Sequence, residues 1–262
     1  MIDVENLTKK FGDLTAVNGV TFNIGQGEIF AFLGPNGAGK TTTVKMLTTL
    51  LRPTSGKIRL NGIDPVAEPE RARRTFGIVF QDSSVDDDLT AWENMDLHGV
   101  LYDVPDDERR VRGEELLKVV DLWDRKDSQV KEFSGGMKRR LEIARGLLHD
   151  PKILFLDEPT SGLDPQTRNL LWDRIRQLNK SEGMAVFLTT HYIEEADLMA
   201  QRVAIMDHGR IIAIGSPAEL KKQAHEERLE DAFLALTGKS IREEEAAQSA
   251  QMRGMGRMFG RR

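Results

Sequence analysis

Eight residues, Gly34-Pro35-Asn36-Gly37-Ala38-Gly39-Lys40-Thr41, constrain this chain more than any other stretch. They fit G-x-x-x-x-G-K-[ST], and their surroundings suit that pattern. Before them runs Ile29-Phe30-Ala31-Phe32-Leu33, unbroken and apolar like a strand buried on both faces of a parallel sheet. After them Val44, Leu47 and Leu51 recur at helical spacing, so the loop opens a helix. In such a strand–loop–helix the glycines free backbone N–H groups to face phosphate oxygens, and the helix N-terminus adds partial positive charge. Lys40 supplies a full charge, and the Thr41 hydroxyl is placed to ligate Mg²⁺. A glycine-rich turn that merely caps a helix would need neither the lysine nor the threonine. The stretch predicts a nucleoside triphosphate site.

The other constraints are exclusions. The 262 residues suffice for a large buried core in one large domain or two small ones. A net charge of −5 argues against a nucleic-acid binder working through bulk charge. With no cysteine there are no disulfides, thiolate metal sites or thiol nucleophiles. No apolar run is long enough to span a bilayer, and Met1-Ile2-Asp3-Val4-Glu5 lacks the features of a signal peptide. The chain is expected to be soluble, with any membrane role arriving through a partner.

Read in order, residues 2–33 are strands broken by turns at Gly12-Asp13 and Gly25-Gln26-Gly27. Phe11 is read equally as a core residue or as a base-stacking aromatic. Arg52-Pro53-Thr54-Ser55-Gly56 stops the first helix, and Lys57-Ile58-Arg59-Leu60 reads as an exposed strand. Phe76–Phe80 is a buried strand ending at Gln81. From about 82 to 149 no strong strand pattern recurs, so a helical insertion into an α/β core is expected. It holds a capping box at Thr90-Ala91-Trp92-Glu93 and a helix from near Pro105 to Val120, with Val111, Leu117 and Val120 on one side. A further helix has Met137, Leu141, Ala144 and Leu148 as its apolar stripe, with Arg139, Arg140, Glu142 and Arg145 off it. Ile153–Leu156 and Ala185–Leu188 are buried strands, Val203–Met206 pairs with Ile211–Ile214, and Ser216-Pro217-Ala218-Glu219 starts a helix. Residues 238–262 read as a disordered tail, or else as one whose basic tip, Phe259-Gly260-Arg261-Arg262, touches lipid headgroups or a partner.

The reaction must come from what else faces the nucleotide. Asp157 ends a buried strand, where open α/β sheets present ligand-facing groups, and its carboxylate can hold Mg²⁺. Glu158, adjacent, has no structural need to be there and can take a proton from an attacking water. His191 and Gln81 end other such strands; each alone is ambiguous, and their common placement beside the loop draws both toward the site. Ser134-Gly135-Gly136 combines an N-cap hydroxyl, two glycines and a helix N-terminus, which makes a second anion-binding element. Two such elements in one chain suggest that the second serves the nucleotide of another copy.

With those residues assembled, the chain resembles the ATP-binding subunits of ATP-binding-cassette transporters over about residues 2–237. The ordered set is Phe11, the Gly34–Thr41 loop, Gln81, Phe133-Ser134-Gly135-Gly136-Met137, Ile153–Glu158, Ser161-Gly162-Leu163-Asp164 and His191. The runs Phe133–Arg145 and Leu229–Leu234 are similar to the drug- and antibiotic-export branch, the daunorubicin-resistance ATPases. The resemblance implies a P-loop NTPase core with a mostly parallel sheet, an N-terminal antiparallel β-subdomain and an inserted helical subdomain. ATP and Mg²⁺ are implied with it. Phe11 would stack on adenine, while the loop from Gly34, Pro35, Asn36, Gly37, Ala38 and Gly39 to Lys40, with Thr42, cradles the phosphates. Thr41 and Gln81 would attend Mg²⁺ with Asp157 in support, Glu158 would be the base, and His191 would contact the γ-phosphate.

The resemblance also implies partners. Two subunits, identical or homologous, would pair head to tail, with Ser134, Gly135 and Gly136 of one closing over the ATP of the other and Asp164 communicating across the interface. A polytopic permease would dock on the helical region after Gln81, at the cytoplasmic face of the membrane, and no nucleic acid is implied. Phe11 replaces the family's usual tyrosine, and Met137 its usual glutamine. The alternative within the same ATPase class is a soluble factor of DNA repair or translation. Against it, Lys40 and Ser134 lie on one compact domain with no long coiled coil between them, and the chain has a single cassette. A GTPase fits less well, because Asn179-Lys180-Ser181-Glu182 only approximates the guanine-reading pattern.

Overall fold

A computed structural model of the protein describes residues 1–238; the tail expected over 238–262 lies, but for Gly238, outside the described residues. The chain builds two sheets. Strands β1 (Ile2–Phe11), β2 (Leu14–Ile24) and β4 (Ser55–Leu60) form an antiparallel sheet in the order β2-β1-β4. The larger sheet runs β5-β6-β7-β3-β8-β9, with β3 at Ile29–Leu33, β5 at Phe76–Val79, β6 at Ile153–Asp157, β7 at Ala185–Thr190, β8 at Arg202–Asp207 and β9 at Arg210–Gly215. All its neighbours pair parallel except the β8–β9 hairpin. This is the expected fold class: an α/β core, mostly parallel, with an antiparallel N-terminal sheet and helices inserted between β5 and β6.

The central strands are apolar throughout because both faces of the sheet are covered, and their alternation assigns each side chain to a face. Phe30, Phe32, Phe155 and Phe187 point toward the small sheet and α1 (Lys40–Leu47), where Phe22 meets Phe32 at 5.0 Å between ring centroids. Ala31, Leu33, Leu154, Leu156, Val186 and Leu188 point the other way, toward the inserted helices and α6 (Pro165–Glu182). Each fully buried aromatic or branched side chain contributes roughly 1.5–3 kcal/mol, so the two clusters hold the sheet firmly under its loops.

Between β5 and β6 lie α3 (Ala91–Leu101), α4 (Asp106–Val119), two short 3₁₀ turns and α5 (Gly135–Leu147). The short α2 (Pro69–Arg73) precedes β5, and α7 (Ile193–Met199) and α8 (Pro217–Ala224) follow the core strands. Both predicted capping boxes form, Thr90 with Glu93 and Ser216 with Glu219.

Four local expectations need correction. α1 ends at Leu47 rather than reaching Leu51: the Thr48 hydroxyl turns back to Val44 O, and Thr49 leaves the helical region at φ 66°. The β4 strand is half-buried: alternate side chains fall on opposite faces of the sheet, and Ile58 and Leu60 fall on the core side. Val111 faces solvent, since it lies about a third of a turn around the helix from the buried Leu117 and about half a turn from Val120. Arg139 and Glu142, off the apolar stripe of α5, are nonetheless buried, at 7% and 2% exposure.

The parallel strands β3, β5, β6 and β7 all deliver their carboxyl ends to one edge of the sheet. Gly34, Gln81, Glu158 and His191 follow those ends directly or within two residues. Ligands of open α/β sheets bind at such an edge.

Candidate nucleotide-binding site

The glycine-rich loop between β3 and α1 is shaped by close backbone contacts. A Cβ on Gly34 would stand 2.1 Å from Met206 O, and one on Gly39 would stand 2.5 Å from Ala16 O. Gly39 caps α1 at φ 100°, a conformation that L side chains resist. Gly34 is needed for space, and Gly39 for space and torsion.

Lys40 is 4% exposed, and its Nζ donates to Gly34 O at 2.7 Å and Pro35 O at 3.1 Å. It also stands 3.4 Å from Glu158 Oε1. Burial pulls the Lys40 ammonium below its ordinary pKa, while the neighbouring Glu158 and Asp157 carboxylates push it back up. His191 Nδ1 lies 3.1 Å from the other Glu158 oxygen, Oε2. The Glu158 carboxylate is therefore flanked on one side by an ammonium and on the other by an imidazole.

Asp157, 2% exposed, accepts from Thr41 Oγ1 at 3.2 Å and from Thr189 Oγ1 at 2.5 Å. Thr189 also accepts the Glu158 N–H, at its carbonyl and at its hydroxyl, both at 3.1 Å. Sequence reasoning passed over Thr189, although a threonine near the end of the strand that His191 follows was a usable signal.

A hollow of 490 Å³ opens above these groups. Phe11, Asn36, Gly37, Gly39, Lys40, Thr41, Thr42, Gln81 and Glu158 line it, so residues from β1, the loop, the β5 end and the β6 end converge on one space. Leu14 and Ala16 of β2 join them, unremarked in the sequence because small or lone apolar residues carry no motif. Phe11 is 47% exposed with Lys9 Nζ 5.0 Å above its ring, which decides against the core reading.

Ser134, Gly135 and Gly136 are absent from the described lining of that hollow. Ser134 caps α5, its Oγ accepting from Met137 N at 3.3 Å, and both Ser134 and Gly135 are exposed. Gly135 instead borders a smaller hollow of 150 Å³ with Gln81, Ser161 and Gly162. Asp164 caps α6 by accepting from Thr167 N at 3.0 Å and Thr167 Oγ1 at 2.6 Å, and these bonds hold its carboxyl below the usual range. A separate hollow of 510 Å³ has His191 and Tyr192 on its rim but none of the glycine-rich loop.

The hydroxyl of Thr41, the Asp157 carboxylate and the Gln81 amide are hard oxygen donors of the kind that suits a small divalent cation. Among the described residues no group of three or more His, Cys, Asp or Glu could hold a metal by itself. That donor set fits a cation that enters with phosphate oxygens and water, as magnesium does.

The profile of the family described as "ABC transporter" matches residues 17–161, spanning the glycine-rich loop, the α5 element and the β6 end. The chain belongs to the ABC transporter family. Among curated members it is 42% identical to a daunorubicin resistance ATP-binding protein of Streptomyces coeruleorubidus, over 87% of this chain and 72% of that one. It is 43% identical to Nod factor export ATP-binding protein I of Ralstonia nicotianae, over 84% and 68%. A solved ATP-binding subunit of an ABC transporter superimposes with a TM-score of 0.83 at 30% identity, covering 90% of this chain and 99% of that one. A dimeric ATP-binding cassette in a post-hydrolysis state with ADP and Pi superimposes at 0.73 and 30% identity, covering 82% and 98%. This ABC cassette is thus an ATP-binding ATPase. Among its described residues no helix is long and apolar enough to cross a membrane.

Proposed function

We propose that this ABC ATPase powers a membrane exporter, working as one half of a head-to-tail pair that closes on ATP and opens after hydrolysis. The observation that carries the chemistry is the Glu158 carboxylate, held between Lys40 at 3.4 Å and His191 at 3.1 Å on the wall of the 490 Å³ hollow. Phe11 offers its exposed ring to the adenine, and Lys40, Gly37, Gly39 and Thr42 cradle the phosphates. Thr41, Gln81 and Asp157 would hold Mg²⁺, whose part is to neutralise charge developing on the phosphate oxygens.

In the reaction Glu158 accepts a proton from a water whose oxygen attacks the γ-phosphorus, and the bond to the bridging oxygen breaks to leave ADP. General-base assistance of this kind contributes about 10²–10⁴-fold. His191 orients the carboxylate from its far side and meets the γ-phosphate. Ser134, Gly135 and Gly136, the first two exposed and all three apart from their own chain's hollow, would close over the ATP of the partner subunit, with Asp164 relaying across the interface.

The transport assignment rests on the relatives. A daunorubicin resistance protein and a Nod factor export protein, each above 40% identical, point to export of a drug, antibiotic, lipid or similar substrate. The helices after Gln81 would receive a polytopic permease at the cytoplasmic face, α3 contributing the exposed Leu97, Val100 and Leu101. Purification of tagged protein from its native cells in mild detergent tests this reading. A stoichiometric polytopic membrane protein is the expected companion. Ribosomes, DNA or soluble factors alone would reassign the ATPase to repair or translation.

A further inference from the structure

The buried Arg139 has no place in the scheme above, yet its guanidinium touches more of the catalytic frame than any residue assigned to it. Arg139 lies on α5, five residues beyond Ser134. Its Nε donates to Pro159 O at 2.6 Å, and its Nη2 donates to Glu158 O at 3.0 Å and to Asp157 O at 3.4 Å. Nη1 donates to Phe80 O, next to Gln81, and pairs with Glu142 Oε2 at 3.1 Å. Glu142 in turn accepts from Ser84 N at 2.5 Å through its other oxygen. One planar fork thus spans three consecutive carbonyls from the last residue of β6 onward and one after β5, and its ion-pair partner holds the loop that follows Gln81.

The backbone of Glu158 shows why such a fork is needed. Nine non-glycine residues among those described have positive φ, and seven are Asn, Asp or His, which tolerate it; the others are Thr49 and Glu158, the latter at φ 49°. A long unbranched carboxylate gains nothing locally from that conformation, so its surroundings must impose it. They do so from both sides of the residue. Thr189 binds the Glu158 N–H at 3.1 Å, and Arg139 binds its carbonyl at 3.0 Å. Turned this way, the side chain leaves the strand direction and enters the space between Lys40 and His191.

We propose that Arg139 is a positioning residue for hydrolysis: it holds Glu158 in its left-handed backbone conformation, and with it the spacing between the Gln81 loop and α5. This rests on the reading of Glu158 as the base. Lysine cannot replace the fork, because an ammonium is a point donor without the planar, multiply bonding geometry. Removing the guanidinium alone would leave Glu142 buried and uncompensated, a change that endangers folding. The R139Q/E142Q double variant removes the fork and its ion pair together, so no charge is left buried alone, and the amide oxygen at position 142 can still accept from Ser84 N.

The test measures steady-state ATPase kinetics and thermal melting for R139K and R139Q/E142Q, beside Glu158→Gln. Each Arg139 variant is expected to lose about tenfold or more in kcat with KM for ATP within about twofold of wild type. Combined with Glu158→Gln, each should still give an ATP-bound dimer by size exclusion, since nucleotide binding is untouched. Wild-type kcat in a folded R139Q/E142Q protein would overturn the proposal. So would kcat and KM shifting together in step with the melting temperature, the mark of a merely structural role. An inactive Glu158→Gln beside a fully active R139Q/E142Q would leave the base assignment standing and remove only the role of Arg139. An active Glu158→Gln would remove the base assignment itself.

Discussion

Lys40 Nζ and Glu158 Oε1 face each other at 3.4 Å, with side chains only 4% and 8% exposed. So shielded from water, the ammonium and the carboxylate hold each other, and the ammonium also donates to the Gly34 and Pro35 carbonyls. Their attraction offsets part of the burial that pulls the lysine pKa down. Phosphate oxygens entering the hollow would compete with Glu158 for the same ammonium. Lys40→Met should therefore weaken ATP binding by about 10–100-fold, the loss of one or two charge-assisted hydrogen bonds at about 1.5–3 kcal/mol. A fluorescent-nucleotide titration with unchanged affinity would contradict the cradle.

The separation of the Ser134 element from its own chain's hollow yields a second expectation. Ser134→Arg places a bulky cation at an exposed helix start that bonds Met137 N and lines nothing of the chain's own site. ATP affinity of the isolated subunit should stay within about twofold, while turnover should fall by about a hundredfold or more because the paired site cannot close. A variant that hydrolyses ATP normally would argue that each subunit works alone.

Acid sensitivity should come from a place remote from the nucleotide. His98, Tyr102 and His149 pack ring on ring, Tyr102 and His149 at 4.0 Å. His98 Nε2 and His149 Nδ1 are buried with no hydrogen-bond partner among the described residues, and His149 Nε2 meets Phe76 O at 3.0 Å. Burial lowers His98 to about 3, helped by Arg145, and His149 to about 4. Above pH 6.5 both rings are neutral whether folded or not, and they add no pH dependence. Below it the unfolded chain takes up protons that the folded rings refuse until about 4 and about 3, so stability falls with pH through that window. At pH 5 each ring should cost about 2 kcal/mol. Urea unfolding at pH 7 and pH 5 checks this: His149→Phe should lose about half of the wild-type drop. An equal drop in both proteins would place the sensitivity elsewhere.

What could be read from the sequence was what local order carries. The glycine-rich loop lies between a buried strand and a helix within thirteen residues, and Glu158 and His191 follow apolar runs whose all-buried character marks the sheet centre. Strand ends of one parallel sheet share an edge, so their grouping followed from topology. Arg139 and Glu142 were invisible for the opposite reason. Helical periodicity places them off the apolar stripe, and only the packing of α5 against the β5 and β6 ends buries that face too. Val111 misled because an apolar residue at loose helical spacing need not lie on the packed side. Leu14 and Ala16 reach the hollow through the β1–β2 hairpin register, with Phe11 opposite Leu14, and no motif records such a pairing.

The central claim is that Glu158 takes the proton from the attacking water. The most direct measurement is ATP turnover of Glu158→Gln alongside its oligomeric state with ATP. Glutamine preserves the shape beside Lys40 and His191 but cannot accept the proton. The account predicts turnover lower by about 10²–10⁴-fold and an ATP-bound dimer stable enough to isolate. Turnover near that of the wild type would contradict it and send the search for the base elsewhere in the hollow.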